Sequence, residues 1–598
     1  MRITAADLFK NSTVGAAILI VWGFLCTLYG VFPLGHIQSL AITYIGLGFI
    51  DCLTLTNSWL SCPMASLPSE FVISFGLPMA MLASVLQRVS GIEGLVAYNV
   101  AGMLFLGVGV VSSWKLLRIF EVGHIGAIVG SFLFFSLPIV HGKASYAFLM
   151  WGFVLFPATV LSIVMYWRSR KPQYSVLYVT IGMIISLFQE PYSFVMAVVF
   201  GVVWIVTQFV FKYRAHWLEL IGRTLGWIFA CAVAVFLYKL YLPGASDFAV
   251  MPIDFFRGQG IDLLALFSRE SSLYYFTMPW GIEGLDPLKF FTDGEAVRHV
   301  YLGVGIPIGL LIFIATCKFW KSAEYSAIVL VALMAFILAL GPSLKINNQR
   351  EHLPSSRISF TDYLMPKEAA IIELPHKFIY SVKPISVMRS VSRWYLLFGF
   401  MAILMLTIGI DRLSHLRWGR YGAGAVLCWL ALEYLPNYGW KERNSKVVTQ
   451  RFTAFNEQAV GELAKMVSPG ERVVFISDRG FPNEYLSLYL CVKVGCKTFN
   501  TPGDKSLAQA KKQWPIQLQN FSGERVSKDG MMLIIQLLQD NIVDAVILPH
   551  FDLRWDSYSW PPSSGVLTTE KRMINQSFNA STVDRQSGEY FSVLKKKR

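Results

Sequence analysis

Continuous apolar runs, not alternation, dominate the first 437 positions of the chain. Eleven of them approach the roughly 20 residues needed to cross a hydrocarbon core of about 30 Å. They fall at 14–33, 95–113, 123–141, 145–166, 174–189, 190–211, 218–241, 299–317, 324–342, 391–409 and 421–437. Lys115, Arg118, Arg168, Arg170, Lys171, Lys212, Arg214, Lys318, Lys321, Arg412, Arg417 and Arg420 fall in short loops on alternate sides of these runs. The positive-inside rule makes those loops cytoplasmic. With Arg2 and Lys10 inside, an odd span count puts 34–94, 243–298, 343–390 and everything after 437 outside. The apolar stretch 71–86 is placed as a re-entrant or interfacial helix, because a twelfth span would turn the basic loops outward. The first apolar run lacks a small-residue cleavage site and reads as a retained span.

After position 437 the pattern changes. Short β-rich runs at 472–477, 496–500 and 544–549 are bounded by turn residues, with an amphipathic run at 531–539 between the last two. Parallel strands need such crossovers, so 438–598 reads as an α/β domain following a membrane domain at 1–437. The expectation is an α-helical polytopic membrane protein of about eleven spans with an extracytoplasmic carboxy-terminal domain.

Composition agrees: 54% of the 598 residues are hydrophobic and 15% charged, against about 25% charge in a soluble domain. That excludes a cytosolic enzyme, disorder and coiled coil, and continuous runs exclude an outer-membrane barrel. The net charge of +14 follows the loops, so topology explains it without a nucleic-acid partner. No G-x-x-x-x-G-K-[ST] loop occurs, and Gly303, Gly305 and Gly309 sit in a span where close helix packing explains them. Cys52 with Cys62 and Cys491 with Cys496 form local pairs in segments assigned outside, where disulfides can close.

Charged groups at outer span ends are expensive to keep and are the first candidates for chemistry. Asp51, an isolated carboxylate among apolar neighbours, suits proton abstraction; as a loop aspartate it could equally cap a turn. Glu190, with Gln189 and Tyr192, stands at a span junction beside Pro191, where it could simply end a helix. His141 and Lys143 mark another outward span end, where a packed histidine is the ordinary alternative. Arg389 and Arg393, preceded by Lys383, lie four residues apart, so on a helix both guanidiniums face one spot and can take a phosphate. The aromatic segment 551–560 reads either as a packed loop or as a stacking surface for sugar rings. Lys595 to Arg598 read as a solvated basic end.

The order of these features resembles the GT-C superfamily of polytopic membrane glycosyltransferases over about 14–410. It runs from an outward loop with an aspartate through Pro78-Met-Ala-Met-Leu and Ala97-Tyr-Asn99 to Phe135-Ser-Leu-Pro138, His141-Gly, Trp151 and Pro157. Asp262-Leu-Leu, Pro279-Trp-Gly281, Glu295, Val300-Tyr-Leu-Gly303, Leu338-Ala-Leu-Gly-Pro342 and Met388-Arg-Ser-Val-Ser-Arg393-Trp follow. The resemblance implies a sugar donor on a polyprenyl phosphate, an envelope glycan or lipid acceptor such as lipopolysaccharide, and a multi-pass home in a bacterial inner membrane. Asp51 matches the family's catalytic base, but its flanks read Phe49-Ile-Asp51-Cys52 where the family carries Gly-Asp-Gly or an acidic pair. Asp51 and Glu70 therefore both stay eligible. Arg389, Arg393 and Lys383 correspond to the basic cluster at the donor phosphate, with His141, Glu190 and Tyr192 beside the substrates. The implied reaction inverts the anomeric centre and demands no fixed cofactor, with a divalent metal on Asp51 or Glu70 left open. A transporter or flippase of lipid-linked saccharides is the rival, disfavoured because the span centres carry almost no charge; a polymerase or ligase of the same substrates is the nearer alternative.

Overall fold

The computed structural model describes residues 12–597 apart from 143–147, 212–216, 244–250, 271, 277–281, 293, 352–359, 375–376, 387, 478–480, 482–483, 522–526, 554–557 and 579–582. Its first part is a helical body: α1 (Ser12–Leu28), α2 (Leu40–Leu55), α3 (Leu77–Ser90), α4 (Gly94–Ile119), α5 (His124–Phe135), α6 (Leu149–Arg168), α7 (Pro172–Gln189), α8 (Pro191–Phe211), α9 (Trp217–Tyr241), α10 (Gly305–Thr316), α11 (Ala323–Leu340), α12 (Tyr395–Ser414) and α13 (Gly419–Tyr434). Among the described residues six helical segments are long and apolar enough to cross a membrane: α4, α6, α8, α9, α11 and the stretch Val391–Ser414 that contains α12. α6 and α12 are buried along most of their length, whereas α9 shows Leu225, Ile228, Phe229 and Phe236 to the outside.

The eleven runs therefore do not translate into eleven long helices, and the reasons are local. The run 123–141 stops at Phe135 and resumes as the single turn Pro138–His141; proline lacks the N–H that would continue the ladder. The run 299–317 is helical only from Gly305, because the buried carboxylate of Glu433 occupies the start of that helix. Glu433 accepts from the backbone N–H of Val304 (2.8 Å) and Gly305 (2.6 Å) and from Tyr301 Oη (3.1 Å). Gly303 leaves room for that carboxylate, Gly305 for it and for Leu430 of α13, and Gly309 for Leu406 of α12, so Gly305 and Gly309 serve the helix packing expected of all three. Conversely, 34–94 is not an open loop: it holds α2 and α3. At 16 and 14 residues they are about 24 and 21 Å long.

The carboxy-terminal part begins with α14 (Tyr438–Phe455) and is built on a five-stranded sheet: β1 (Arg472–Phe475), β2 (Lys497–Thr498), β3 (Ala545–Pro549), β4 (Val583–Ser587) and β5 (Phe591–Lys596). The order is β2-β1-β3-β5-β4, with β1 parallel to both β2 and β3 and the last two strands antiparallel additions. α15 (Tyr485–Val494) links β1 to β2, and α16 (Lys528–Gln539) precedes β3. The carboxy terminus corrects an expectation. Lys595 and Lys596 are not a solvated tail but part of β5, where Lys595 Nζ donates to Glu471 Oε1 at 2.8 Å. Of the 551–560 segment, in which 554–557 lie outside the described residues, Phe551 and Trp560 are buried, with Trp560 packed among Phe455, Phe551 and Tyr590, and Tyr558 is exposed.

The two parts are in intimate contact. α15 lies so close to α2 that a Cβ on Gly48 would come within 3.1 Å of the Tyr489 backbone. Tyr44 of α2 packs its ring on Phe452, Phe455 and Tyr489. Residues 64–67 run beside β2: Thr498 N donates to Met64 O (2.9 Å), Leu67 N to Thr498 O (3.1 Å) and Ser66 N to Asn500 O (3.1 Å). Cys52 is bonded to Cys62, and Cys491 to Cys496.

Candidate active site

Asp51 sits in the last turn of α2, only 6% exposed. The loop assignment from sequence is thereby corrected: the run from Leu40 to Leu55 is apolar enough to bury itself between α3, α4 and α15, and it winds up to do so. One carboxylate oxygen, Oδ2, meets Lys493 Nζ of α15 at 2.9 Å, and Oδ1 accepts from Gln87 Nε2 of α3 at 3.2 Å. The same Oδ1 lies against the first turn of α4, where a Cβ on Gly94 would collide with it. The adjacent Cys52–Cys62 bond and Arg88 fix the turn that follows. The Arg88 guanidinium donates to the carbonyls of Leu53 and Ser58 and lies 4.6 Å from the Trp59 ring. Glu70, the other eligible base, is exposed and accepts from Ser61 Oγ. Gln87, Arg88 and Lys493 were missed from sequence, because only tertiary approach brings them to Asp51.

A second cluster gathers Glu190, Tyr192 and Arg393. Arg393 forms a two-pronged ion pair with Glu295, Nε to Oε2 and Nη2 to Oε1, each 2.9 Å, and its guanidinium lies 4.7 Å from the Tyr192 ring centre. Tyr192 Oη accepts from Ser390 N at 3.1 Å. Glu190 is buried where α7 gives way to α8, and its Oε2 accepts from Ser193 N (2.7 Å) and Oγ (3.1 Å). Gly152 of α6 leaves the space it fills. The four-residue spacing of Arg389 and Arg393 does not put them on one helical face. Residues 388–390 are not helical and 391–394 form a 3-10 turn; the Arg393 side chain is 12% exposed, whereas Arg389 is exposed. Lys383 opens a short helix, Lys383–Ser386, and its side chain lies outside the description.

His141 joins neither cluster. It is fully buried, edge-on to Tyr274 at 6.3 Å, and its carbonyl accepts from Lys441 Nζ of α14 at 3.0 Å. Burial pulls the Lys441 ammonium down to about 8. Lys143 and Pro279 to Gly281 lie outside the described residues.

α3 connects the first two clusters. Near its amino end Met79 N donates to Gln189 Oε1 (3.1 Å), the neighbour of Glu190, and near its carboxy end Gln87 reaches Asp51. Met79 and Gln87 are about 12 Å apart along the helix axis. The arrangement offers a carboxylate at one end of a short rigid helix and an arginine-bearing segment beyond the other.

The backbone matches solved structures over nearly its whole length. ArnT from Cupriavidus metallidurans superposes with a TM-score of 0.52 both in the apo state (11% identity) and bound to undecaprenyl phosphate (10% identity), covering 99% of this chain and 98% of that one. The apo oligosaccharyltransferase of Archaeoglobus fulgidus superposes with a TM-score of 0.50 at 12% identity, covering 91% of this chain and 70% of its own. Both are polytopic membrane glycosyltransferases of the GT-C type.

The chain has the GT-C fold.

At the level of sequence no family model and no curated protein matches it, so the resemblance read from motif order is a resemblance of fold. Within this GT-C fold a divalent metal at Asp51 does not fit the residues present. Lys493 holds Oδ2, Gln87 and the Gly94 turn crowd Oδ1, and no set of three or more His, Cys, Asp or Glu side chains converges among the described residues. Divalent calcium or magnesium asks for about six oxygen ligands.

Proposed function

We propose that the protein transfers a sugar from a polyprenyl-phosphate donor to an envelope glycan or lipid acceptor at the outer boundary of a bacterial inner membrane, with the amino terminus cytoplasmic and the carboxy-terminal domain outside. The reading is carried by a buried, oriented carboxylate, Asp51, at the junction of a GT-C helical body and its carboxy-terminal domain. It is supported by the matching fold of ArnT, solved with undecaprenyl phosphate bound.

Asp51 takes the proton of an acceptor hydroxyl as that oxygen attacks the anomeric carbon. The new C–O bond forms while the bond to the lipid phosphate breaks, and polyprenyl phosphate leaves with the electron pair. Attack opposite the phosphate inverts the anomeric centre. Glu70, exposed and bonded to Ser61, is the lesser candidate for the base. Arg389, exposed beside the cluster, meets the phosphate; the charge of Arg393 is already engaged by Glu295, and with Tyr192 and Glu190 it holds the segment 390–393 in place. A cationic group aimed at the leaving phosphate stabilises the charge developing there.

The test is release of free polyprenyl phosphate by full-length protein in nanodiscs, across polyprenyl-phosphate sugars with crude envelope acceptor. Release by wild type and Glu70→Gln but not by Asp51→Asn is expected. Loss in Glu70→Gln instead would move the base, and no release from any donor by folded protein would overturn the transferase reading in favour of a flippase.

A further inference from the structure

A carboxylate taken out of water needs a compensating positive charge. At Asp51 that charge comes from the other domain. Lys493 projects from the last turn of α15, its ammonium 2.9 Å from Oδ2 and 5.4 Å from the centre of the Tyr489 ring. The approach is preset on both sides. Gly48 lets α2 and α15 touch backbone to side chain, Cys491 is bonded to Cys496 around Lys493, and Cys52 is bonded to Cys62 beside Asp51. A divalent ion would have to evict this ammonium or share the carboxylate with it.

We propose that Lys493 is a positioning residue that occupies the place a divalent cation would take at Asp51, so that sugar transfer is metal-independent and requires the carboxy-terminal domain to be docked. The inference rests on Asp51 being the base. Lys493 fixes one carboxylate oxygen and Gln87 steadies the other.

Two measurements on the full chain in nanodiscs test it. The first is titration with Mn2+ alone, read by the electron paramagnetic resonance signal of free Mn2+. Wild type is expected to take up no stoichiometric ion. Uptake of one Mn2+ per chain that disappears in Asp51→Asn overturns the proposal. This readout needs no turnover, so a protein that transfers no sugar yet binds no Mn2+ defeats the transferase reading and leaves the occupied carboxylate standing. The second is transfer by wild type after dialysis against EDTA, and by Lys493→Met and Lys493→Arg. Expected are an unchanged wild-type rate and a fall of at least about tenfold in kcat for Lys493→Met with donor KM little altered, since the base and not the donor site is disturbed. Lys493→Arg, which keeps the charge and the domain contact, recovers most of the rate. A wild-type rate in Lys493→Met, or loss of activity with EDTA restored by Mg2+, overturns the proposal. If Lys493→Met does not fold, the Mn2+ and EDTA results on wild type decide alone.

Discussion

A base has to be aimed, and Asp51 is held by partners that lie far from it in the chain. Asp51→Asn keeps the shape and the Gln87 contact, so transfer should fall by about 10²–10⁴-fold while thermal melts in detergent stay close to wild type. The two arginines divide differently. Arg393→Ala removes the two-pronged ion pair from buried Glu295 and should cost about 3–5 kcal/mol of stability, visible as a lower melting temperature. Arg389→Ala should leave the melt unchanged and raise the donor KM. Asp51, Glu190 and both arginines are legible as candidates in the chain, with Tyr192 beside Glu190, because charge at the ends of apolar runs stands out against its surroundings. Lys493 and Gln87 carry no such mark: each is an ordinary polar residue until the fold brings it to the Asp51 carboxylate. The same blindness put Arg389 and Arg393 on one helical face, since spacing says nothing where the backbone is not a helix.

At the scale of elements, hydropathy located where the chain is apolar but not where helices begin and end. Pro138 divides one run, and the Glu433 carboxylate delays the start of α10. Gly303, at φ +62° with Glu433 where its Cβ would stand, should resist substitution. Gly303→Ala is expected to destabilise by about 1–3 kcal/mol from backbone conformation alone, with more from displacing the carboxylate, measurable by denaturant titration. Residues 40–55 fall in the outer connection 34–94 by span assignment alone, yet they form a helix that buries against the carboxy-terminal part. That covering domain was legible only in part. Its three parallel strands and one crossover followed from β-rich runs and turn residues, whereas β4 and β5 were missed because Val583–Ser587 is mostly polar and Lys595 and Lys596 mimic a solvated end.

Across the whole molecule, the carboxy-terminal sheet carries its own titrating group and its own exposure problem. Glu484 is fully buried; burial pushes its carboxyl up to about 8, against bonds from Ser477 Oγ (2.5 Å) and Asn500 Nδ2 that favour ionisation. The folded chain therefore keeps a proton that the unfolded chain releases near 4.5. The stability this group contributes is complete below about pH 4.5, shrinks as pH rises and is gone above about 8. Glu484→Gln should flatten that slope in melts of the full protein between pH 5 and pH 9. The sheet has two edges. β4 guards one with exposed Asp584, Arg585 and Gln586. The other, β2, is two residues long and is covered by residues 64–67 from the helical body. An uncovered strand edge is a template on which a second copy can pair. Cut away from the helices, the carboxy-terminal part would thus display a raw edge together with the apolar faces of α14 and α15, and should be recovered as aggregates instead of a soluble monomer. Residues 64–67, just beyond the Cys52–Cys62 bond, double as this domain's protection against self-association, so the two parts of the chain are bound to a shared fate in solution.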